Sequence, residues 1–483
     1  MSFCILPSIH TNNAIYKHIK VYANVIDANV VANEVVANEV VANEVVANEV
    51  VANEVVANEV VAVANEVVAV ANEVAVVANE VDANVAANEV VANACACAVA
   101  ANEATVDANE VDEIFINKTL YKYLKGVKEQ IDCRLEQWDK YKKITNPYEY
   151  IHSIIPNTKQ AVSTLKPISR SFFKMVEVCH TFFLLDTLPV DKCKSFHLAE
   201  GPGGFIEAMA YMRKNPNDTY YGMTLIDEVN HNVPGWRKSR HFLATNPNVI
   251  IEAGVDGTGD LTKAENLRYC YDTYNGQMDI ITGDGGFDFS FQYPQQEQVS
   301  TKLILCQIAF AIAMQKTGGT FILKVYDTFT RISLDLLFLL YNLYEEVILI
   351  KPNTSRFANS EKYVICKKFR NMNTLETVKL LHKLLLLKSE SVMHSLFDFE
   401  LPYFFINKIE EYNAILGQQQ IDTIVSTIYL IDNNNKYDKV EHLKKKYVQK
   451  CIAWCQKFTV PYNNVIQTNN MFLSSTSQRC ILE

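Results

Sequence analysis

The stretch that decides the fold is residues 197–208, HLAEGPGGFIEA. A short apolar run ends in the acidic residue Glu200, three glycines follow within four positions, and a helical pattern begins near Phe205. This order is typical of a strand that turns tightly into a helix, as at the nucleotide-binding turns of α/β proteins. The stretch therefore predicts an α/β fold with a ligand site beside the turn.

Strand-like and helical patterns alternate on both sides of this turn, from about residue 167 to residue 369. Helical periodicity separates most of the strand-like runs, for example at residues 205–213 and 301–316. Such alternation indicates a doubly wound sheet with its ligands at the carboxyl ends of the strands. The predicted strands are 195–199, 220–225, 249–253, 279–282, 319–325, 346–350 and 362–366.

A degenerate repeat of Val-Ala-Asn-Glu-Val occupies residues 28–113. A period of five matches neither the helical period of 3.6 nor the strand period of 2, so no lasting apolar face forms. A pentapeptide β-helix would place Glu34, Glu39 and Glu44 in its interior, where unpaired carboxylates are costly. We therefore predict a disordered or weakly ordered low-complexity segment.

Helical patterns flank the alternating region on both sides. An N-terminal segment (residues 1–27) and the repeat are followed by apolar residues at three- and four-residue steps through residues 114–164. Residues 370–483 are leucine-rich and predict a helical C-terminal region. The clearest helical runs there are 380–387, 406–416 and 440–458.

Charge is divided unevenly along the chain. The 483 residues carry a formal net charge of −10, which alone argues against a nucleic-acid partner. Residues 21–117, however, contain 17 acidic and no basic side chains, so the rest of the chain has a net charge of +7. The folded body is therefore mildly basic, and a nucleic-acid partner is not excluded.

The 12 cysteines show neither a disulfide framework nor a zinc pattern, and many free thiols favour a reducing compartment. The spacing of Cys451 and Cys455 would stack both on one helix face, which suggests packing rather than metal ligation. The N-terminus lacks a signal-peptide pattern, and the apolar stretches at 304–314 and 334–343 are too short or interrupted to span a bilayer. We expect a soluble, cytoplasmic protein, with a nuclear location left open and neither a membrane nor a metal site.

The glycine turn narrows the choice of cofactor. Ile206 stands where a dinucleotide-binding Gly-x-Gly-x-x-Gly turn has its last glycine, and no Gly-Lys-Ser/Thr ending follows. The glycines would still let a ligand approach the backbone closely, and Glu200 could hold a positively charged or hydroxyl-rich group. These features suit S-adenosylmethionine, although a plain tight turn has the same outline.

A second acidic, glycine-rich loop, GVDGTGDL, follows another predicted strand at residues 254–261. An acid here can accept a hydrogen bond from an adenine amino group while a backbone N–H meets the ring nitrogen. Asp256 and Asp260 also allow a calcium-type loop or a simple turn. The downstream glutamate that closes an EF-hand loop is absent, which disfavours calcium.

Four further stretches carry candidate chemistry: 169–174 (SRSFFK), 282–287 (TGDGGF), 318–324 (GGTFILK) and 355–363 (SRFANSEKY). In this order they resemble the ribose 2′-O-methyltransferases of the FtsJ-like superfamily, whose catalytic set is Lys-Asp-Lys-Glu. The match covers residues 165–369 and is closest to the cap-specific branch, which has members in eukaryotes and large DNA viruses. The resemblance implies a Rossmann-like fold, S-adenosyl-L-methionine as cofactor and RNA as substrate.

These residue types suit the chemistry of methyl transfer to ribose. A 2′-hydroxyl is a poor nucleophile until it loses its proton, and a lysine can take that proton only if its pKa falls from about 10.4 toward neutrality. Lys324 ends an apolar strand and would face a second cation, Lys174. Because desolvation and a like charge both lower a lysine pKa, we expect a low pKa for Lys324.

The resemblance assigns a role to each member of the set. Lys324 is the general base, Asp284 lies beside the sulfonium methyl group, and Lys174 and Glu361 orient Lys324 and the ribose. Taken singly, Lys174 could be a snorkelling lysine, Asp284 a helix cap and Glu361 a member of a surface ion pair. Together, the four residues favour an enzyme. The implied cofactor-binding residues are Glu200, Gly201, Gly203, Gly204, Phe205, Asp260, Leu261 and Asp284.

RNA recognition is expected from basic and aromatic residues that flank these motifs. Trp236 and Phe357 could stack on bases, whereas Phe172 and Phe173 are more typical of a core. No guanine pocket is recognisable, so the preference for capped mRNA over ribosomal or transfer RNA rests on the resemblance. The residues expected to meet RNA phosphates are Arg170, Arg237, Lys238 and Arg356.

Other interpretations remain open. A catalytically inactive methyltransferase-fold RNA-binding scaffold subunit is one. Besides RNA, we expect a capping-machinery or helper subunit as a candidate partner. A dehydrogenase is disfavoured by the missing glycine fingerprint. Two features depart from the family: Glu200 replaces the small or aspartate residue usual in bacterial members, and the five-residue repeat has no counterpart.

Overall fold

The structure, a computed structural model, describes residues 2–6, 15, 114–227, 233–286, 296–370, 374–386, 394–433 and 437–463. All of these belong to one compact unit. The repeat at 28–113, with its predicted disorder, lies outside the described residues, as does most of the N-terminal segment.

Eight strands form a single sheet in the order β1-β7-β8-β6-β5-β2-β3-β4. The run from β4 to β6 is parallel, whereas β8 is antiparallel to both β6 and β7, and β1 is antiparallel to β7. The predicted α/β class and Rossmann-like sheet are therefore confirmed, with two reversed strands, β8 and β1, at one side. The strands are β1 (Ser2–Ile5), β2 (Lys194–Leu198), β3 (Thr219–Met223), β4 (Val249–Glu252), β5 (Met278–Gly283), β6 (Gln315–Val325), β7 (Tyr344–Lys351) and β8 (Lys362–Phe369).

Helices cover both faces of the sheet and extend beyond it at either end of the chain. They are α1 (Lys118–Glu129), α2 (Leu135–Ile144), α3 (Ser171–Thr181), α4 (Gly204–Arg213), α5 (Arg240–Thr245), α6 (Ala264–Tyr274), α7 (Gln296–Met314), α8 (Arg331–Leu343), α9 (Thr374–Leu385), α10 (Tyr403–Asp432) and α11 (Tyr437–Lys457).

Alternation along the strands divides the core between two faces. In β6, Phe321 and Leu323 point into one cluster with α6 to α10, whereas Ile322 between them joins a second cluster with α3, α4 and α11. In β5, Ile281 and Ile280 divide in the same way. This period of two, with apolar residues on both faces, is what a sheet covered on both sides requires.

The apolar stretch at 304–314 belongs to the 19-residue helix α7, which begins earlier than the apolar run suggested. By length and composition alone, the whole of α7 could cross a membrane. Most of α7 is buried inside the protein, where Leu305, Phe310 and Ile312 pack in the core beside the sheet.

The helical additions pack together as well as on the sheet. A third apolar cluster joins α1 and α2 to the second half of α10, through Tyr121, Trp138 and Ile424. Helix α11 packs on the opposite face of the sheet, where Trp454 meets Phe173 of α3 at 5.9 Å between ring centroids. Helices that are far apart in the chain thus pack on or beside the same sheet.

Candidate active site

Three of the four predicted catalytic residues lie at the same edge of the sheet. Asp284 directly follows β5, and Lys324 is the penultimate residue of the parallel neighbour β6. Glu361 directly precedes β8, which runs antiparallel to β6, so its amino end meets the carboxyl end of β6. The fourth residue, Lys174, comes from the first turns of α3, a helix buried along most of its length.

Lys324 is bound to Asp284 by two contacts. Its Nζ donates a hydrogen bond to the Asp284 carbonyl oxygen at 2.7 Å and lies 3.3 Å from the carboxylate Oδ1. Both side chains are largely buried, at 11% and 15% exposed, so water screens the pair weakly.

Lys174 forms the second ion pair of the site, with 2.6 Å between its Nζ and Glu361 Oε1. The same carboxylate oxygen accepts a hydrogen bond from Ser355 Oγ at 2.7 Å. Tyr363 connects the two pairs, because its hydroxyl accepts from Lys174 Nζ at 3.3 Å and donates to Asp284 Oδ1 at 2.8 Å. Two lysines and two carboxylates thus form one continuous network.

The protonation of the network differs from the expected one. Burial is the largest influence on Lys324 and lowers its pKa, but Asp284, Tyr326 and Glu361 together outweigh burial and leave this pKa raised. The expectation of a low pKa for Lys324 in the free protein was therefore wrong. The lowered pKa belongs instead to Lys174, because burial outweighs Glu361 there. Burial alone would raise the pKa of Glu361, but Lys174 and Lys324 keep it below its ordinary value.

A cavity of about 980 Å³ opens at this edge of the sheet. Its volume is at the upper end of the range for small-molecule sites, with room for a ligand larger than a single cofactor. One part of its wall comes from the ends of β2, β3, β5 and β6, and another from α1, α2 and α10. Of the catalytic set, Asp284, Lys324 and Glu361 line it, whereas Lys174 lies behind the wall.

The glycine turn contributes its first residues to the cavity. Glu200, Gly201 and Pro202 line the wall, and a side chain at Gly201 would approach the Gly235 carbonyl oxygen to 2.9 Å. The following residues serve the turn itself. Gly203 has φ of +107°, which only glycine adopts readily.

The remaining glycine-turn residues lie outside the lining of the cavity. A Cβ on Gly204 would collide with the hydroxyls of Ser169 and Ser171. Phe205 is 1% exposed and packs against Tyr363 at 6.0 Å between ring centroids. Both residues shape the start of α4 rather than contact the cavity.

The second glycine-rich loop also reaches the cavity. Gly259, Asp260 and Leu261 line its wall, next to Thr224 at the end of β3. Asp260 Oδ1 accepts hydrogen bonds from the backbone and hydroxyl of Thr262, each at 2.8 Å, so this oxygen is engaged within the loop. Asp256 instead pairs with Lys263 away from the lining.

The predicted RNA-binding residues divide into two groups. Arg170 and Arg356 line the cavity, but Arg170 donates to the Thr354 carbonyl at 3.0 Å and Arg356 is paired with Glu149. Arg237 and Lys238 are exposed on a short 3₁₀ turn and lie outside the lining.

The aromatic residues expected to stack on bases are occupied within the protein. Trp236 packs against Gly222, where an added Cβ would lie 2.6 Å from a carbon of the indole ring. Phe357 meets Tyr148 at 6.4 Å between centroids. Phe172 and Phe173 are buried, in agreement with the core alternative.

The loop at residues 352–361, between β7 and β8, is held by residues that sequence reasoning did not select. Buried Glu177 accepts the N–H groups of Asn353 and Thr354 at 2.9 and 3.0 Å. Lys351 Nζ donates to the Asn359 carbonyl at 2.7 Å and to the Glu361 carbonyl at 2.8 Å. These contacts fix the backbone that carries Glu361.

Helices outside the sheet region hold the same loop. Glu149 accepts two hydrogen bonds from Arg356, at 2.8 and 3.0 Å, and Gln420 of α10 donates to the Ala358 carbonyl at 3.1 Å. Trp138, Lys142 and Gln420 also line the cavity. In the sequence, a buried carboxylate such as Glu149 next to Tyr148 carries no motif that would have identified it.

Comparisons with known proteins identify the family that this region of the chain matches. Residues 167–369 match the family model for FtsJ-like methyltransferases. Curated relatives include the cap-specific mRNA (nucleoside-2′-O-)-methyltransferase 1 of Mus musculus, 34% identical over 244 residues, which are 46% of this chain and 27% of the relative. The protein of the same name from Dictyostelium discoideum is 28% identical over 301 residues, covering 58% of this chain and 38% of the relative.

The chain therefore spans between about a quarter and two fifths of the length of these relatives. A solved structure from Plasmodium falciparum, described as a ribosomal RNA methyltransferase, covers 42% of this chain at 20% identity, with a TM-score of 0.30. The family match, the parallel sheet and the ordered Lys-Asp-Lys-Glu network coincide in one region of the chain. Residues 167–369 form an FtsJ-like methyltransferase domain.

Proposed function

We propose that this protein is an S-adenosylmethionine-dependent RNA ribose 2′-O-methyltransferase that acts on the 5′ cap region of mRNA. The observation that carries the proposal is the network of Lys174, Asp284, Lys324 and Glu361 at the wall of a large cavity. The proposal concerns the whole chain, whereas the family match covers residues 167–369.

The cavity wall fits the chemistry of S-adenosylmethionine. Gly201 keeps the turn open where a Cβ would crowd the Gly235 carbonyl, and the carboxyl groups of Glu200, Asp260 and Asp284 belong to the lining residues. Acidic groups of this kind suit a ligand with positive charges and ribose hydroxyls. When bound, the cofactor supplies an electrophilic methyl group on a positively charged sulfur.

Lys324 is the residue best suited to take the proton of the attacking hydroxyl. It lines the cavity, whereas Lys174, the lysine with the lowered pKa, lies behind the wall. Asp284 is the main group that raises the pKa of Lys324. A positively charged ligand bound in the cavity beside Asp284 would offset part of the negative charge of this carboxylate. Asp284 would then raise the pKa of Lys324 less, so Lys324 Nζ becomes able to receive a proton.

Lys174 and Glu361 serve to orient this base. Glu361 accepts from Lys174 and Ser355, and both lysines lower its pKa, so it stays ionised beside the cavity. An ionised carboxylate at this position can accept a hydrogen bond from a ribose hydroxyl and hold it toward Lys324. Alignment of this kind, rather than a metal ion, is what an in-line methyl transfer mainly requires.

RNA is proposed as substrate because the cavity has space and chemistry beyond the cofactor residues. Trp138, Lys142 and Arg356 lie in the part of the wall formed by the additional helices. Cationic and aromatic groups are the usual partners of phosphates and bases. The preference for capped mRNA follows from the named activity of the relatives. A capping-machinery or helper subunit is part of the proposal as a further partner. The cytoplasmic location stays a prediction.

Labelled-methyl transfer to matched transcripts tests this function. Purified protein, labelled S-adenosylmethionine and RNAs that differ only in the 5′ cap are incubated, and the methyl group is located by nuclease digestion. Label on a 2′-oxygen next to the cap is expected. Equal transfer to uncapped RNA would favour a ribosomal or transfer RNA substrate, and no transfer to any RNA would favour a binding scaffold.

A further inference from the structure

The carboxyl group of Glu200 is buried at the start of the glycine turn with only one oxygen hydrogen-bonded. Its Oε1 accepts the N–H of Phe205, in the first turn of α4, at 2.6 Å. Its Oε2 is buried and has no hydrogen-bond partner among the described residues. The residue is 4% exposed. A half-satisfied carboxyl group beside a ligand cavity needs a physical explanation, because an unpaired buried carboxylate is costly.

The charged groups around Glu200 do not neutralise it. Asp284, at the end of the neighbouring strand β5, adds a second negative charge. Lys324 is the cation that acts on Glu200, but its Nζ is engaged by the carbonyl and carboxylate of Asp284. Helix α4 offers backbone N–H groups, and the uncharged Thr224, which follows β3, lies beside the neighbouring Gly201.

The protonation state of Glu200 therefore depends on what the cavity holds. Burial, with the charge of Asp284 added, raises the pKa of Glu200 well above its ordinary value, so the free protein favours the protonated acid there more than an exposed glutamate would. A positive charge in the cavity would offset Asp284 and stabilise the Glu200 carboxylate. A neutral ligand of the same shape would leave the proton in position.

We propose that Glu200 makes the cavity selective for a cationic ligand over a neutral ligand of the same shape. The proposal rests on the proposed function, because S-adenosylmethionine is a sulfonium and its product S-adenosylhomocysteine is a neutral thioether. On binding the sulfonium, Glu200 releases its proton to solvent and becomes a carboxylate. Once the charge is lost in the reaction, the carboxylate takes a proton back and the neutral product is held less tightly.

Titration calorimetry of both ligands tests this selectivity. Binding is measured at pH 7 in two buffers that differ in ionisation enthalpy, which reports the protons released. The wild-type protein is expected to release up to one proton with S-adenosylmethionine and none with S-adenosylhomocysteine. In Glu200→Gln the release disappears, and the affinity ratio between the two ligands falls about tenfold, the equivalent of one pKa unit.

Glu207→Gln is the matched control. Glu207 lies on the same helix and its carboxylate accepts the Ile168 N–H at 2.7 Å, but it is outside the cavity lining. This variant should keep the wild-type release and ratio. Proton release by Glu200→Gln equal to wild type, or no release by the wild type itself, would overturn the selectivity. If neither ligand binds the wild-type protein, both the proposed function and the selectivity are contradicted.

Discussion

The hydroxyl of Tyr363 donates a hydrogen bond of 2.8 Å to Asp284 Oδ1, the carboxylate oxygen that also lies 3.3 Å from Lys324 Nζ. Tyr363 is paired with Lys324 across the antiparallel ladder of β6 and β8. The tyrosine therefore holds Asp284 from one side while the lysine holds it from the other. Because Lys174 also donates to the Tyr363 hydroxyl, this side chain links the two ion pairs of the site.

Removal of that hydroxyl is expected to slow methyl transfer without loss of the ligand site. Tyr363→Phe removes a hydrogen bond to a charged group, which corresponds to roughly a 10- to 100-fold lower turnover. The affinity for S-adenosylhomocysteine, which calorimetry measures separately from turnover, should stay within a few-fold of the wild-type value. Tyr344→Phe is the control, because Tyr344 is equally buried and its hydroxyl bonds to Gln315 away from the cavity. Equal turnover in both variants would contradict a linking role for Tyr363.

Glu149 is expected to stabilise the loop that carries Glu361. Glu149→Gln takes the charge from the pair with Arg356 and should lower the free energy of unfolding by about 1–3 kcal/mol at pH 7. Burial would raise the pKa of Glu149, but the hydrogen bonds and charge of Arg356, with the charges of Arg170 and His152 added, outweigh burial and lower it. A lowered carboxyl pKa stabilises the fold above the unfolded pKa of about 4.3, and this stabilisation is lost as the pH falls below that value.

The stability difference between wild type and Glu149→Gln, measured by urea unfolding, should therefore shrink as the pH falls below about 4.3. Glu136→Gln, an exposed change on α2, should show no such trend. A difference that stays constant across the acidic range would argue against the ion pair as its source.

Lys351 should make stability depend on pH in the alkaline range. Burial lowers its pKa to about 7, whereas the unfolded chain keeps the proton up to about pH 10.4. Between these values the unfolded state binds more protons, so stability rises with pH, and the cost of the buried charge is greatest below pH 7. Lys351→Met removes this rise, although it also removes hydrogen bonds to Asn359 and Glu361.

Urea midpoints of wild type and Lys351→Met between pH 6 and pH 10 check this sign. The stability of the wild type relative to that of Lys351→Met should increase as the pH rises. The exposed change Lys192→Met provides the reference and should give a constant difference. A wild-type advantage that decreases with rising pH would show that Lys351 is not the titrating group.

Arg237 and Lys238 are expected to contribute to RNA affinity without base specificity. Both are exposed and lie outside the cavity, so contacts with phosphates suit them better than contacts with a reacting nucleotide. The double change Arg237→Gln, Lys238→Gln removes both charges. Each removed charge should reduce the slope of log RNA affinity against log salt concentration by about 1. The double change Lys445→Gln, Lys446→Gln on α11 alters the net charge equally and serves as control. Identical slopes for the two double variants would remove this assignment.

Much of the fold could be predicted from the sequence because its strands are short, apolar and bounded by turn residues. All seven predicted strands are present, with ends shifted by a few residues. The missed strand, Ser2–Ile5, is four residues long and pairs with β7, so its partner lies more than 300 positions away. No local pattern identifies a strand that exists only through such a pairing. The reversed direction of β8 was equally invisible, since apolar alternation carries no direction.

The proximity of the four candidate catalytic residues could be predicted from the sequence, but their energetics could not. Asp284, Lys324 and Glu361 stand next to strand ends, so the topology brings them together. The raised pKa of Lys324 depends on its distances to Asp284, which no motif contains. Tyr363 was overlooked because a tyrosine inside an apolar strand is typical of a core residue, and its hydroxyl reveals its function only in three dimensions.

The most direct test of the central claim is the methyl-transfer rate of Lys324→Met on capped RNA, measured together with its affinity for S-adenosylhomocysteine. Lys316→Met is the control, since Lys316 lies on the same strand, exposed and paired with Asp279 at 2.8 Å. Loss of the general base should lower the rate by at least about 100-fold, with product affinity retained. A Lys324→Met protein that binds the product and transfers methyl groups as fast as Lys316→Met would contradict the account.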